Sequence, residues 1–167
     1  MYYFDFLEEL YKQDIKYLIV GGLAVNLYGV PRITQDIDII VSTDEENLIK
    51  ILQILENLNY KPQLPIKAEE ILNSEKIKFW IENKNLKAFS FYNFDDNSKI
   101  IDILLAHNLD FNSAYQRKKT LKIKDFLINL VSIDDLIELK RFAGRLQDFS
   151  DVEMLEKVKQ IERENES

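Results

Sequence analysis

One aspartate interrupts the most apolar run of the sequence, and it constrains the fold more than any other residue. Asp102 lies within IIDILL (residues 100–105), whose composition predicts a buried central strand. An unpaired ionised carboxylate would be costly there, so Asp102 needs a partner. The partner is either a cation shared with other carboxylates or a salt bridge to Arg32, Lys140 or Arg145.

Hydrophobic periodicity divides the chain into strands and helices. It predicts strands at residues 17–20, 36–41, 76–82, 87–93 and 99–105, with a further strand or hairpin within 120–131. It predicts helices at residues 3–13, 23–28, about 43–58, 133–143 and 148–162, and Ser132 is placed to cap the fourth. Strands alternate with helices early and follow one another directly in the middle. This order predicts an α/β or α+β domain with a mixed central sheet, flanking helices and a helical C-terminus.

The length of the chain favours one compact domain over residues 1–167, with a core of about 1–131 followed by C-terminal helices over about 132–163. No apolar run approaches the length that a membrane span needs, and the amphipathic, acidic N-terminus does not resemble a signal peptide. We therefore expect a cytoplasmic protein that does not engage the membrane.

Residue usage narrows the choice of metal. The sequence contains no cysteine and a single histidine, which excludes thiolate sites and clusters of nitrogen ligands. Any metal must therefore be held by oxygen, which suits magnesium, manganese or calcium.

The charge of the chain argues against broad nucleic-acid binding. The net charge is -7, and such binding depends on basic groups that release counterions from phosphates. Residues 116–145 are locally basic, however, and this stretch either attracts a phosphate-bearing ligand or forms the solvated faces of a hairpin and a helix.

Three of the four glycines lie within residues 21–29, where a strand passes into a helix. Gly21 and Gly22 would expose backbone N–H groups at this turn and let a phosphate approach the main chain. The alternative is an ordinary tight turn.

Asp36 and Asp38 lie two residues apart in the second predicted strand. Both carboxylates would project from one face while Ile37 and Ile39 face the core. Their mutual repulsion suggests a divalent metal between them, unless one of them merely caps a turn after Pro31. If Asp102 lies on a neighbouring strand, all three carboxylates converge, and metal ions can neutralise them.

These residues carry a resemblance. GGLAVNLYGVPRITQDIDII (residues 21–40), followed about sixty residues later by IIDILL, resembles the core of the polymerase-β-type nucleotidyltransferase superfamily. The nearest branch resembles the small bacterial proteins related to abortive-infection toxins of type IV toxin-antitoxin pairs and to antibiotic nucleotidyltransferases. LKRFAGRLQDFSDVEML (residues 139–155) resembles the helical signature of the toxin-type proteins.

The resemblance implies a nucleotidyltransferase fold and a role for each matching residue. Gly21 and Gly22 would line the triphosphate of ATP or another nucleotide, and Asp36 and Asp38 would ligate Mg²⁺ or Mn²⁺. Asp102 would complete the metal site and polarise the acceptor hydroxyl. The family more often has serine where Gly22 stands, so one hydroxyl contact to phosphate is missing.

Four further residues are nucleotide-binding candidates. Arg32 and Thr34 precede the paired aspartates and either touch phosphate or order their loop. Lys140 and Arg145 would neutralise the triphosphate, with Arg141 and Arg145 on one helix face, although Arg145 would equally form a surface pair with Asp148.

The predicted function is metal-dependent transfer of a nucleoside monophosphate from a nucleoside triphosphate to an acceptor hydroxyl. Nothing in the sequence chooses among a protein side chain, a tRNA end and a small molecule as the acceptor. The alternative is a non-catalytic nucleotide- or partner-binding domain of the same fold within a toxin-antitoxin pair, with a cognate antitoxin as its partner. His107, just after the third-aspartate strand, is interpreted as a loop residue.

Overall fold

The computed structural model describes residues 3–167, and Met1 and Tyr2, the first residues of the predicted single domain, lie outside this range. The strands are β1 (Tyr17–Val20), β2 (Ile37–Val41), β3 (Tyr60–Pro62), β4 (Ala88–Asn93), β5 (Ile100–Leu104), β6 (Lys119–Ile123) and β7 (Phe126–Leu130). The helices are α1 (Phe4–Lys12), α2 (Gly21–Leu27), α3 (Glu45–Asn57), α4 (Ser74–Lys84), α5 (Phe111–Gln116), α6 (Ile133–Ala143) and α7 (Leu146–Glu166).

The seven strands form one mixed sheet in the order β3-β4-β5-β2-β1-β7-β6. β2 runs parallel to β5 and antiparallel to β1, and β1 runs parallel to β7. The mixed sheet, the flanking helices and the helical C-terminus confirm the predicted fold class.

The alternation of side chains along β2 and β5 separates the core from the opposite face of the sheet. Ile37 and Ile39 on β2 and Ile101 and Ile103 on β5 are fully buried. Successive residues of a strand point to opposite faces, so the residues between these isoleucines are turned away from this part of the core. Two of those intervening residues are Asp38 and Asp102.

The strand predicted at residues 76–82 is wrong, because this segment lies within α4. The Asn73 side chain accepts a hydrogen bond from the Lys76 N–H at 3.0 Å and so caps the start of the helix. Ile77, Trp80 and Ile81 are spaced at i, i+3 and i+4, which suits one helical face as well as a strand. The strand was predicted because apolar residues of the same segment also fit the two-residue period of a strand.

The C-terminal helices are separated by a sharp break at Gly144. Ser132 caps α6 as predicted, since its hydroxyl accepts the Asp135 N–H at 3.2 Å. Gly144 ends α6 in a left-handed conformation with φ of 66°, and α7 starts two residues later. The prediction that Arg141 and Arg145 share one helix face is therefore wrong.

Other boundaries differ in smaller ways. α2 begins at Gly21, two residues earlier than predicted, and α5 was not predicted. Within residues 3–167, no helix combines the length and the apolar character that a membrane crossing requires.

Candidate functional site

The structure brings Asp36, Asp38 and Asp102 to one cleft. Asp38 and Asp102 are register partners on the neighbouring parallel strands β2 and β5. Asp36 lies two residues before Asp38, and all three aspartates line the same cavity of about 590 Å³. The pairing of β2 with β5 is what unites residues that lie far apart in the sequence.

Asp102 lacks a partner among the described residues. Its Oδ1 atom is buried and accepts no hydrogen bond. The three basic residues considered as its salt-bridge partners bind other carboxylates: Arg32 binds Asp151, Lys140 binds Asp148 and Asp151, and Arg145 binds Asp148. The salt-bridge alternative for Asp102 is therefore wrong.

Burial and neighbouring negative charge disfavour ionisation of Asp36 and Asp38. Burial raises the pKa of Asp38 to about 6, and the negative charges of Asp102 and Asp36 add to this effect. The pKa of Asp36 is raised by burial and by the charge of Asp102. A cation bound among these oxygens would remove the repulsion.

Tyr3 ties together the ends of the two aspartate-bearing strands, and sequence reasoning missed it. Its hydroxyl donates to the Gln35 carbonyl at 2.6 Å and accepts the Ile100 N–H at 3.0 Å. Burial raises the pKa of Tyr3 to about 12, so the hydroxyl stays protonated. A tyrosine near the chain start carries no local signal for a contact made so far along the sequence.

The glycine pair makes room for the protein's own side chains. A Cβ atom on Gly21 would overlap Asp38, lying 2.7 Å from its Cγ atom. A Cβ atom on Gly22 would lie 2.9 Å from the Thr34 hydroxyl oxygen. Gly21 also has a φ of 66°, which other residues rarely adopt. The two glycines therefore let Asp38 and Thr34 pack against the β1–α2 turn.

The basic candidates belong to an ion network that we call the buried ion network after its buried members Lys140, Asp148 and Asp151; it also includes Arg32 and the largely exposed Arg145. Lys140 is 4% exposed, and its Nζ atom lies 3.2 Å from an Asp148 oxygen and 3.0 Å from an Asp151 oxygen. The Arg145 Nε atom donates to Asp148 at 2.7 Å. Burial opposes ionisation of Asp148, but the hydrogen bonds from Arg145 and the charge of Lys140 lower its pKa.

Part of this network faces the cleft. Arg32, Lys140, Arg145 and Asp148 line it together with Gly21, Gly22 and Thr34. All nine residues predicted to form the site therefore line one cavity. The predicted i,i+3 pair of Arg145 with Asp148 is also present, although Asp148 is fully buried and the pair is not confined to the surface.

A second group of lining residues was not predicted. It consists of side chains from the end of α4, the start of β4 and the end of β5 with its following loop. We call this group the α4–β5 wall: Ile81, Asn85, Leu86, Lys87, Leu104 and His107. The mistaken strand at residues 76–82 concealed its α4 part, which includes Ile81. His107 does lie in a loop, and it also lines the cleft.

The donor set at the carboxylates suits a hard divalent cation. No group of three or more His, Cys, Asp or Glu side chains within residues 3–167 forms a ready-made metal cluster. The buried, unpartnered oxygen of Asp102 nevertheless lies next to a second carboxylate on the neighbouring strand. A divalent cation bound there would neutralise the repulsion between the carboxylates. The residues present therefore fit a hard divalent cation, which prefers carboxylate oxygens.

Comparisons with known proteins agree on the fold. No protein-family model and no curated protein matches the chain. Lincosamide antibiotic adenylyltransferase LnuA, solved with lincomycin bound, is similar with a TM-score of 0.57 and 18% identity over 92% of this chain and 93% of that one. ANT(2″)-Ia, solved with adenylyl-2″-tobramycin, has a TM-score of 0.54 and 15% identity over 98% of this chain and 95% of that one.

A third similar structure is an antigenic nucleotidyltransferase-like protein from Paracoccidioides brasiliensis. Its TM-score is 0.52, with 19% identity over 90% of this chain and 71% of that one. The chain therefore has the nucleotidyltransferase fold.

The raised pKa of Asp38 predicts how the stability of the metal-free protein depends on pH. The folded state binds this proton more tightly than the unfolded state, so the contribution of Asp38 to stability falls as the pH rises from about 4 to about 6. Asp38→Asn removes the ionisable group, so we expect it to raise the free energy of unfolding at pH 7 by on the order of 2 kcal/mol. This value allows for screening of the Asp38 charge by solvent in the cleft.

The measurement is urea unfolding in EDTA between pH 4 and pH 8. The difference between Asp38→Asn and wild type should grow from pH 4 to about pH 6 and then stay level up to pH 8. Asp125→Asn, an exposed substitution in the β6–β7 turn, is the control and should show a flat difference. A gain that does not depend on pH would contradict the electrostatic explanation.

Proposed function

We propose that the chain is a nucleotidyltransferase that moves a nucleoside monophosphate from a nucleoside triphosphate to an acceptor hydroxyl. The observation that carries the proposal is the buried, unpartnered oxygen of Asp102 beside Asp38 on the neighbouring strand. The fold shared with two antibiotic adenylyltransferases supports it.

In this proposal Asp36, Asp38 and Asp102 hold Mg²⁺ or Mn²⁺. The bound cations would stabilise negative charge on the attacking and departing oxygens of the transfer. Tyr3 keeps the two strands in register through its hydrogen bonds to Gln35 and Ile100. Because the oxygens belong to two paired strands, they are positioned before the substrate arrives.

The triphosphate would lie between the β1–α2 turn and the buried ion network. Gly21 and Gly22 start α2, where the first backbone N–H groups lack helical partners. The Thr34 hydroxyl takes the space beside Gly22 and would offer the hydroxyl contact that a serine at position 22 would make. The network has three basic and two acidic groups, so it presents one net positive charge to the phosphates.

The reaction is an in-line displacement at the α-phosphorus. The acceptor oxygen forms a bond to phosphorus as the bond to the bridging oxygen breaks and pyrophosphate leaves. Asp102 would polarise the acceptor hydroxyl, since it lies between the phosphate end of the cleft and the α4–β5 wall. No covalent enzyme intermediate is needed, and the protein contributes chiefly positioning and charge.

A toxin-antitoxin context and a cognate antitoxin stay predictions from the sequence resemblance. A non-catalytic domain would gain nothing from keeping three carboxylates in one cleft, where burial and like charge disfavour ionisation of Asp36 and Asp38. This cost favours transfer over nucleotide binding alone.

The first test is nucleotide-dependent stabilisation. With Mg²⁺ and a preferred nucleoside triphosphate at a hundred times its Kd, binding should add about 2.7 kcal/mol and raise Tm by about 5–10 °C. Transfer of an α-labelled nucleotide to the chain itself, to tRNA or to small hydroxyl compounds should then be detectable.

Asp36→Asn and Asp102→Asn should lower transfer at least about 100-fold, because each removes a charge that acts in the transition state. Asp125→Asn lies far from the cleft and should leave transfer unchanged. Metal-dependent binding without transfer to any acceptor class would favour the non-catalytic alternative. Absence of binding to every nucleoside triphosphate would refute the proposed function.

A further inference from the structure

The cleft divides chemically into two halves. The first half contains every lining carboxylate: Asp36, Asp38, Asp102 and Asp148. The second half is the α4–β5 wall, which contains no carboxylate, and Phe142 of α6 also lines the cavity. Asp102 marks the boundary, because Leu104 follows it on the same face of β5.

The wall is held together by backbone hydrogen bonds. The N–H groups of Leu105 and Ala106 donate to the Lys87 carbonyl at 2.9 Å and 3.2 Å. The Leu86 N–H donates to the Trp80 carbonyl at 3.2 Å, which fixes the end of α4 against the start of β4. The Lys87 backbone is thereby held beside residues 105 and 106, directly before His107.

Two polar side chains of the wall, Lys87 and His107, offer hydrogen-bond donors, and the third, Asn85, offers an amide that both donates and accepts. Lys87 forms no ion pair with any residue of the described chain. The Nδ1 atom of His107 accepts the Leu109 N–H at 3.3 Å, so a neutral imidazole carries its proton on Nε2. Burial lowers the pKa of His107, which keeps the ring neutral at pH 7. Within residues 3–167, Nε2 has no hydrogen-bond partner and remains available to a ligand.

The other wall residues, Ile81, Leu86 and Leu104, are apolar, and Phe142 lines the same cavity. A ligand in this half meets the Lys87 ammonium group, the His107 ring, the Asn85 amide and hydrocarbon, and the wall itself supplies no carboxylate. A polycation would have no counter-charge here, since the carboxylates of the cleft lie at the phosphate end.

From this arrangement we infer that the acceptor is a small hydroxyl compound with an apolar body and a carboxylate, which Lys87 and His107 recognise. The inference rests on the proposed function, because it assigns the acceptor half of the same cleft. It sets this chain apart from ANT(2″)-Ia, whose solved complex contains an adenylylated tobramycin.

The test compares two probes of similar size that share a phenolic hydroxyl, para-hydroxyphenylacetate and tyramine. Their affinities are measured by calorimetry on the full chain with Mg²⁺ and a non-hydrolysable nucleoside triphosphate analogue. The carboxylate probe should bind at least about tenfold more tightly than the amine. Lys87→Glu should reverse this preference, and His107→Ala should weaken the carboxylate probe alone.

Lys84→Glu is the matched control, because it reverses an exposed charge in the last turn of α4 and does not line the cleft. It should leave both affinities unchanged. Equal affinities, tighter binding of tyramine or no binding of either probe would overturn the inference. Affinity for the nucleotide analogue is measured separately. If the chain binds the analogue but does not prefer the carboxylate probe, only this inference is refuted. If the chain does not bind the analogue, the proposed function is refuted as well.

Discussion

Replacing Asp148 and Asp151 together by asparagine is expected to lower the free energy of unfolding by about 5 kcal/mol, because it leaves a buried charge without a partner. Each carboxylate binds the Nζ atom of Lys140, whose side chain is only 5% exposed. Either single substitution leaves Lys140 one carboxylate and should cost about 2 kcal/mol. The double substitution leaves it none, so its cost should exceed the sum of the single costs.

The measurement is a double-mutant cycle by urea unfolding. The double variant Glu153→Gln with Glu156→Gln is the matched control. Both glutamates lie on α7, as Asp148 and Asp151 do, but their ion pairs are exposed to solvent. This control should cost less than about 1 kcal/mol. Adding Lys140→Met to the double variant should restore part of the stability, since it removes the stranded charge. Strict additivity of the single costs would contradict shared burial of the ammonium group.

The buried ion network shows where sequence reasoning was sound and where it failed. Lys140 and Arg145 were linked to the site because basic residues in a late helix suit a phosphate ligand. Their acidic partners were not linked to the site, since Asp148 and Asp151 look like ordinary surface residues of an amphipathic helix. The fold buries both carboxylates at the junction of α6 and α7, and no local pattern encodes that junction.

The strands that carry the carboxylates could be predicted because the pattern of apolar residues in the sequence indicates which positions are buried. Asp102 interrupts an apolar run, and Ile37 and Ile39 alternate with Asp36 and Asp38, so the period of two is explicit. The predicted convergence of the three aspartates depends on the pairing of β2 with β5, and the sequence alone does not establish that pairing. Strand order depends on packing across the whole sheet, which short-range periodicity does not specify.

The α4–β5 wall could not be predicted, because its helix was mistaken for a strand. In KIKFWIE (residues 76–82) the apolar residues fit both a period of two and a helical face, and the capping contact of Asn73 decides between them. The error left the end of α4 and the loop after it out of the predicted site. His107 is a lone histidine after a strand, and no sequence pattern links it to the predicted strand at residues 87–93, so its place in the cleft has no local signal.

Gly21 and Gly22 line the cleft, but the predicted reason for this glycine pair was incomplete. Close approach of a ligand to the backbone was the expected cause of Gly21, yet the nearest atoms to its missing side chain belong to Asp38. Gly21 therefore sets the position of a carboxylate that we propose to hold metal. This dual demand, for a left-handed backbone and for space, makes Gly21 the most sensitive position of the turn.

Gly21→Ala is expected to destabilise the protein by about 3–4 kcal/mol and to abolish stabilisation by Mg²⁺ with a nucleoside triphosphate. The left-handed φ of 66° accounts for about 1–2 kcal/mol. The remainder comes from overlap with Asp38, whose Cβ and Cγ atoms would lie 2.8 Å and 2.7 Å from the new methyl carbon. Asp38 cannot retreat easily, because its backbone is paired with β1 and β5.

Gly144→Ala separates these two causes, because Gly144 has the same φ of 66° but its nearest contact to a new Cβ atom is 3.6 Å. It should therefore show only the backbone cost of about 1–2 kcal/mol. The two variants are compared by urea unfolding in EDTA and by thermal shift with Mg²⁺ and nucleotide. Gly144→Ala should keep its ligand-dependent shift, because no carboxylate proposed to bind metal moves. Equal destabilisation by both substitutions would mean that the Asp38 side chain moves away from the new methyl group at little cost. That result would contradict the claim that Gly21 fixes the position of the Asp38 carboxylate.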